Sequence, residues 1–152
     1  RRKGDREGLD HAHVLRADAL FVIPILFDAE QLDEVFVLYP DPWWKRQHRK
    51  RRIIRDEILD LLAPRMAPGA PLWVRTDVGP LARDMREVLL THPAFEPLPL
   101  ADYPDRPLPH STRDTVTLRN ELPVQLVYFR RAAALPPSLE LSSPEGAPRE
   151  EE

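Results

Sequence analysis

Three short apolar runs in this chain each stop at or just before an aspartate, and helix-like stretches separate them. His13-Val14-Leu15-Arg16-Ala17 runs into Asp18. Glu34 to Tyr39 is followed by Asp41. Leu72-Trp73-Val74-Arg75-Thr76 is closed by Asp77. Continuous runs of this kind predict strands of a sheet buried on both faces, as in parallel α/β sheets. The intervening patterns are helical. Ala19 to Phe27 is a short helix interrupted by Pro24. Ile54, Ile58, Leu61 and Leu62 share one helical face, with Asp56, Glu57 and Asp60 off it, and Leu81, Met85, Val88 and Leu89 mark a further helix. Pro64 and Pro68-Gly69 stop the second helix. Asp77 is a candidate N-cap for the third, with Pro80 tolerated in its first turn. Val124 to Phe129 reads as a closing strand. Strand–helix alternation specifies an α/β fold.

A chain of 152 residues, 42% apolar and 31% charged, suits one globular domain. We place it at 9–134, after a charged lead at 1–8 and before an acidic Pro/Ser/Glu tail at 135–152 whose composition predicts disorder. Six prolines between Pro93 and Pro109 predict a long extended loop, functional or mobile. Cysteine is absent, which excludes disulfides, thiolate zinc sites and cysteine nucleophiles. No apolar run approaches the ~20 residues that span a bilayer, and the start has no secretory pattern. The expectation is a cytoplasmic protein without membrane or metal partners. The chain begins with Arg1, which suggests a piece of something longer.

Residues 40–52 carry the chemistry. Asp41 sits between Pro40 and Pro42, whose rings fix φ and restrict the residues before them. Trp43 and Trp44 follow; one of them is expected to pack in the core and the other to offer a stacking surface for a base. Seven cations then fall within eleven residues: Lys45, Arg46, Arg49, Lys50, Arg51, Arg52 and Arg55. Crowded at the start of the Ile54–Leu62 helix, they oppose its dipole, so local stability does not explain them. Contact with phosphate does, since arginine pairs bidentately with it. A solvated charged face is the alternative. Structured RNA gripped by its backbone, with one base drawn in, fits better than duplex DNA read by a helix. His48 has no second ligand at metal spacing. Ligands of open α/β sheets bind beyond the carboxyl ends of the strands, where Asp18, Asp41 and Asp77 would lie together. Taken singly, each is equally a turn former or a helix cap.

Pro40-Asp41-Pro42-Trp43 with Lys45, His48 and Lys50-Arg51-Arg52 resembles the signature of the bacterial tRNA (guanine-N7-)-methyltransferases, which act on the guanine at position 46 of the tRNA variable loop. The similarity runs from about Leu9 to Arg131 and includes Arg16-Ala17-Asp18-Ala19 and Thr76-Asp77. It implies a Rossmann-like class I methyltransferase fold with S-adenosylmethionine as cofactor and tRNA as partner. Carried over by motif, Asp18 is a cofactor-binding acid near the adenine, and Asp41 is both cofactor-contacting and catalytic. Lys45 and Asp77 contact substrate, as does a loop at Thr112, Arg113, Asp114 and Thr115. Ser111-Thr112-Arg113-Asp114 offers that loop two registers, with Asp where the family has Glu. Arg46, Arg49, Lys50, Arg51 and Arg52 face the tRNA backbone. The family's Gly-rich strand–turn is not matched here, since Gly4 and Gly8 sit in the charged lead. The resemblance therefore implies an N-terminally incomplete fold, either a fragment or a truncated, catalytically inactive RNA-binding relative.

Overall fold

The computed structural model describes residues 11–105 and 107–141. The lead at 1–8 with its glycines, and the tail beyond 141, lie outside the described residues. Among the described residues four strands form one sheet in the order β1-β2-β4-β3: β1 (Val35–Leu38), β2 (Pro71–Thr76), β3 (Phe95–Pro97) and β4 (Gln125–Arg131). β1 runs parallel to β2, with Val35 opposite Leu72 and Leu38 opposite Arg75. β4 lies antiparallel to β2 and to β3. The sheet is thus mixed and not all-parallel as expected. The reason lies in the last helix, α4 (Thr112–Arg119), whose start is bonded to residues at the carboxyl ends of β1 and β2. The chain enters β4 from that rim and must run back.

Period-two alternation gives the sheet two unlike faces. Val35, Val37, Leu72, Val74, Val127 and Phe129 point to one side. They meet Ile58, Leu59 and Leu62 of α2 (Asp56–Leu62), and Leu81, Met85 and Leu89 of α3 (Gly79–Thr91), in a single core cluster. Phe36, Trp73 and Tyr128 occupy the other side, with Tyr128 edge-on to Trp73 at 4.8 Å between ring centroids. Tyr103, from the proline-rich stretch, meets Trp73 edge-on at 5.8 Å. That stretch is no free loop. It begins with β3, turns through a 3-10 segment at Leu100–Asp102, and is tied down by an Asp102–Arg130 ion pair at 2.8 Å and a bond from Arg75 to the Pro109 carbonyl at 2.9 Å. Prolines stiffen a strap whose hydrogen bonds are supplied by its neighbours.

Three further expectations differ. His13 to Ala17 forms no strand; Val14 and Leu15 are exposed, and no described strand lies alongside to complete a ladder. The helix behind it forms as α1 (Ala19–Leu26), capped by Asp18 through a bond from the Leu20 amide and carrying Pro24 inside. The cations do not crowd the start of α2. Arg46, Arg49, Lys50 and Arg51 occupy their own 3-10 turn, Arg46–Arg51, flanked by Lys45 and Arg52; of the seven only Arg55 stands at the N-cap of α2, which opens with Asp56 and Glu57, as the helix dipole favours. Asp77 does not cap α3: Val78 holds that position, its amide donating to Thr76 Oγ1. No helix among the described residues is long and apolar enough to cross a membrane.

Candidate functional site

Parallel pairing of β1 with β2 brings their carboxyl ends to one rim, so the two segments that follow, Pro40-Asp41-Pro42 and Asp77, emerge side by side. The chain leaves β1 abruptly. Tyr39 and Trp43 both adopt left-handed backbone conformations, with φ of 50° and 44°, on either side of the proline-flanked acid. Bulky L-residues resist that region, at a cost of about 1–2 kcal/mol each, so surrounding contacts must hold them there.

Those contacts are specific. The Tyr39 amide donates to the Arg75 carbonyl at 2.8 Å, extending the ladder by one bond. The Tyr39 hydroxyl donates to Asp114 Oδ1 at 2.6 Å. Asp114 is 4% exposed and closes a capping box with Ser111 at the start of α4; its Oδ2 also lies 3.5 Å from Arg75 Nη1. Burial alone would raise the Asp114 pKa. The hydrogen bonds from Tyr39 and Ser111 and the charge of Arg75 outweigh it and hold the carboxyl at about 2. Burial, then the Asp114 hydrogen bond, push the Tyr39 phenol up from its ordinary value, so it is the donor at neutral pH. Arg75 is itself 5% exposed and bonds to the Tyr128 hydroxyl at 3.3 Å. On the far side of the turn, the Trp43 amide donates to Asp41 Oδ1 at 3.1 Å. Arg52 donates from Nε to the Pro42 carbonyl at 3.0 Å and pairs through Nη1 with Asp84 of α3 at 2.5 Å. The acidic turn is therefore clamped from both flanks, while Asp41 itself is exposed.

Tyr39→Phe removes one donor from a buried carboxylate and is expected to cost about 1–2 kcal/mol by denaturant unfolding. Arg52→Ala is expected to cost about 1–2 kcal/mol, Asp84 being part exposed and its pairing screened accordingly. An unchanged midpoint in either variant would contradict the clamp.

The cations divide. Lys45, Arg49, Lys50 and Arg51 are exposed, and Arg46 lies in the same turn. The Arg51 guanidinium sits over the Trp43 ring at 5.1 Å, and His48 meets that ring edge-on at 5.7 Å. Arg52, expected on the tRNA backbone, is turned inward as the clamp just described. Neither neighbouring indole is buried: Trp43 is half-buried and Trp44 is 65% exposed, while the core indole is Trp73.

Asp77 is joined by Arg113, whose Nε and Nη2 both donate to Asp77 Oδ2. Thr112 and Thr115 are exposed beside it. Asp114, expected at the substrate, faces inward instead. Asp18 caps α1, and no bond among the described residues ties it to Asp41 or Asp77. Reading the sequence missed Tyr39, Arg75 and Asp84. It also missed α4, although Ser111-x-x-Asp114 has the spacing of a capping box.

Residues 1–121 match a family model described as "Putative methyltransferase". A tRNA (guanine-N(7)-)-methyltransferase of Streptomyces avermitilis is 40% identical over 104 residues, covering 68% of this chain and 36% of that protein. Proteins of the same name from a Synechococcus strain and from Cupriavidus necator are 33% and 35% identical, over 84% and 86% of this chain and 54% and 51% of their own lengths. The chain thus spans between about a third and about half the length of these relatives. The family match runs from the first residue through the clamped turn and past the end of α4, and on it the chain belongs to the same methyltransferase family as these proteins.

Proposed function

We propose that this chain forms the guanine-positioning and tRNA-gripping part of a cytoplasmic tRNA (guanine-N7-)-methyltransferase that uses S-adenosylmethionine. The observation that carries this reading is the strained, doubly clamped Asp41 turn set between Asp77 and an exposed cationic turn. Family membership and the names of the relatives support it.

Guanine N7 has a lone pair and no proton to lose, so methylation there needs orientation in line with the breaking bond more than a strong base. S-adenosylmethionine supplies, when bound, an electrophilic methyl on a positively charged sulfur. Asp41 Oδ1 is used by the Trp43 amide, and its Oδ2 has no partner among the described residues. Asp18 is in the same position, with only the Leu20 amide on Oδ1. Such carboxylates fit the hydroxyl and amine donors of that cofactor or of the base. As the N–CH₃ bond forms, positive charge moves onto guanine. Asp41 favours that charge and, being held by the two flanks, needs no reorganisation to do so. Lys45, Arg46, Arg49, Lys50 and Arg51 meet backbone phosphates, and Trp44 offers a face for an unstacked base.

The test uses labelled S-adenosylmethionine and a tRNA transcript, compared with one carrying 7-deazaguanine at the variable-loop position. Label transferred only to the first supports N7 as acceptor; equal transfer to both refutes it. A separate expectation concerns affinity. Arg49→Ala with Lys50→Ala should flatten the dependence of log K on log salt by about 1.5–2 units if each meets one phosphate. An unchanged slope would remove the turn from the RNA interface.

A further inference from the structure

A cavity of about 320 Å³ shares Arg75 and Asp114 with the clamp behind Asp41, and neither Asp77 nor Arg113 lines it. It lies on the aromatic face of the sheet. The pleat puts Arg75 and Leu126, register partners across β2 and β4, on the same side as Trp73 and Tyr128. Leu118 of α4 and Leu108 of the proline-rich strap also line it. These walls are apolar but left in water, Leu118 being 60% exposed and Leu126 47%. At the base lies a guanidinium only 5% exposed. Arg75 Nε is taken by the Tyr128 hydroxyl, and Nη1 by the Pro109 carbonyl with Asp114 beside it. Nη2 has no partner among the described residues, and no polar side-chain atom among them is both sealed and unpaired. Its donors therefore face the cavity that Arg75 lines.

We propose that this cavity holds a second unstacked base of the RNA, a neighbour of the methylated guanine that offers a carbonyl oxygen to Arg75. This adds a base site to the proposed function and rests on that reading. Drawing one base out of a strand takes a stacking partner from each neighbour, so a slot for one of them offsets part of that cost. The cavity is placed to supply it, because the Arg75 carbonyl and the Asp114 carboxylate hold Tyr39, two residues before Asp41. Charge decides between a base and a phosphate. Asp114 already balances Arg75, so a further anion gains little there, while a neutral carbonyl needs only the open N–H groups. The leucines offer apolar faces to the ring, and that contact releases no counterions.

The experiment measures the tRNA affinity of the whole 152-residue chain over a range of salt, with Leu118→Ser and Leu126→Ser combined. Both side chains are exposed, so the fold tolerates the pair. The expected result is about ten-fold weaker binding at every salt concentration, with an unchanged slope of log K on log salt. Transcripts abasic at one or the other neighbour of the guanine identify the occupant. At one of the two positions the abasic transcript should bind the wild-type chain about ten-fold more weakly, and the leucine variant should lose nothing further on it. Adenine at that position, which has no carbonyl, should bind several-fold more weakly than uracil. Arg75→Lys, which keeps the charge beside Asp114, should remove that preference. Unchanged affinity in the leucine variant, a changed slope, or losses that simply multiply at both neighbours would overturn the proposal. So would a leucine variant whose only change is weaker self-association, which would give the patch to a second copy of the chain. Methyl transfer with wild-type affinity in the leucine variant would sink this proposal and leave the proposed function. Coupling to one neighbour without methyl transfer would do the reverse, and no binding of tRNA would contradict both.

Discussion

Asp114→Ala is expected to destabilise the chain by about 3–5 kcal/mol, measured as the shift in denaturant midpoint at constant m. The carboxylate is almost fully enclosed and accepts from Tyr39, from the Ser111 amide and from the Ser111 hydroxyl, with Arg75 beside it. Removing it leaves the Arg75 charge buried without a counter-charge, opens the capping box of α4, and frees the Tyr39 hydroxyl in a site that water reaches poorly. Asp114→Asn keeps one acceptor oxygen but puts an NH₂ donor in place of the other and loses the charge, so a loss smaller than that of alanine is expected. The same carboxyl predicts a pH dependence. Its folded pKa of about 2 lies below the ordinary 3.8, so its contribution is complete above that ordinary value. The contribution fades as pH falls from about 4 to about 2, and amounts to about 2 kcal/mol by linkage. Asp114→Asn should lose this acid-side slope. A variant that unfolds with the wild-type profile would show that the buried pairing does not stabilise the fold.

Asp41→Ala is expected to lower methyl transfer at least about 100-fold while tRNA affinity stays within a few-fold. The residue is exposed on a turn whose shape is set by Tyr39, Pro42 and Arg52, so the fold survives its loss. The cations proposed to grip the nucleic acid lie on the next turn and are untouched. Alanine also removes the acceptor for the Trp43 amide, which confounds charge with geometry. Asp41→Asn separates the two, because it keeps Oδ1 in place and removes the negative charge. If the asparagine variant turns over like wild type, the carboxylate holds the turn and does nothing for the developing charge on guanine.

The strand–helix order was legible because β1, β2 and β4 are apolar runs bounded by turn residues, and α2 and α3 carry clean helical faces. The pairing of acids with strand ends was legible for Asp41 and Asp77 for the same reason. Strand direction was not, since Gln125–Arg131 reads alike in either sense and only the position of α4 decides it. His13 to Ala17 shows the limit of pattern alone: a strand needs a neighbour, and none among the described residues lies beside it. The inward-facing arginines were illegible too. Arg65 donates to the Phe27 and Leu61 carbonyls, and Arg131 to those of Ala63 and Ala133, so charged residues serve as buried struts. Nothing in composition separates them from Arg49 or Arg51. Which cation stays exposed and which clamps a turn depends on carbonyls and carboxylates brought near by tertiary structure, as Arg52 shows with Pro42 and Asp84.

The proposed function requires the proline-flanked acid, Asp77, the start of α4 and the cationic turn to make one surface at one rim of the sheet. Amide hydrogen exchange with and without tRNA tests it most directly and needs no turnover. The account predicts slowed exchange at 39–51, 77–79 and 111–115. Protection confined to 63–70 and 131–135, at the opposite rim, would contradict it.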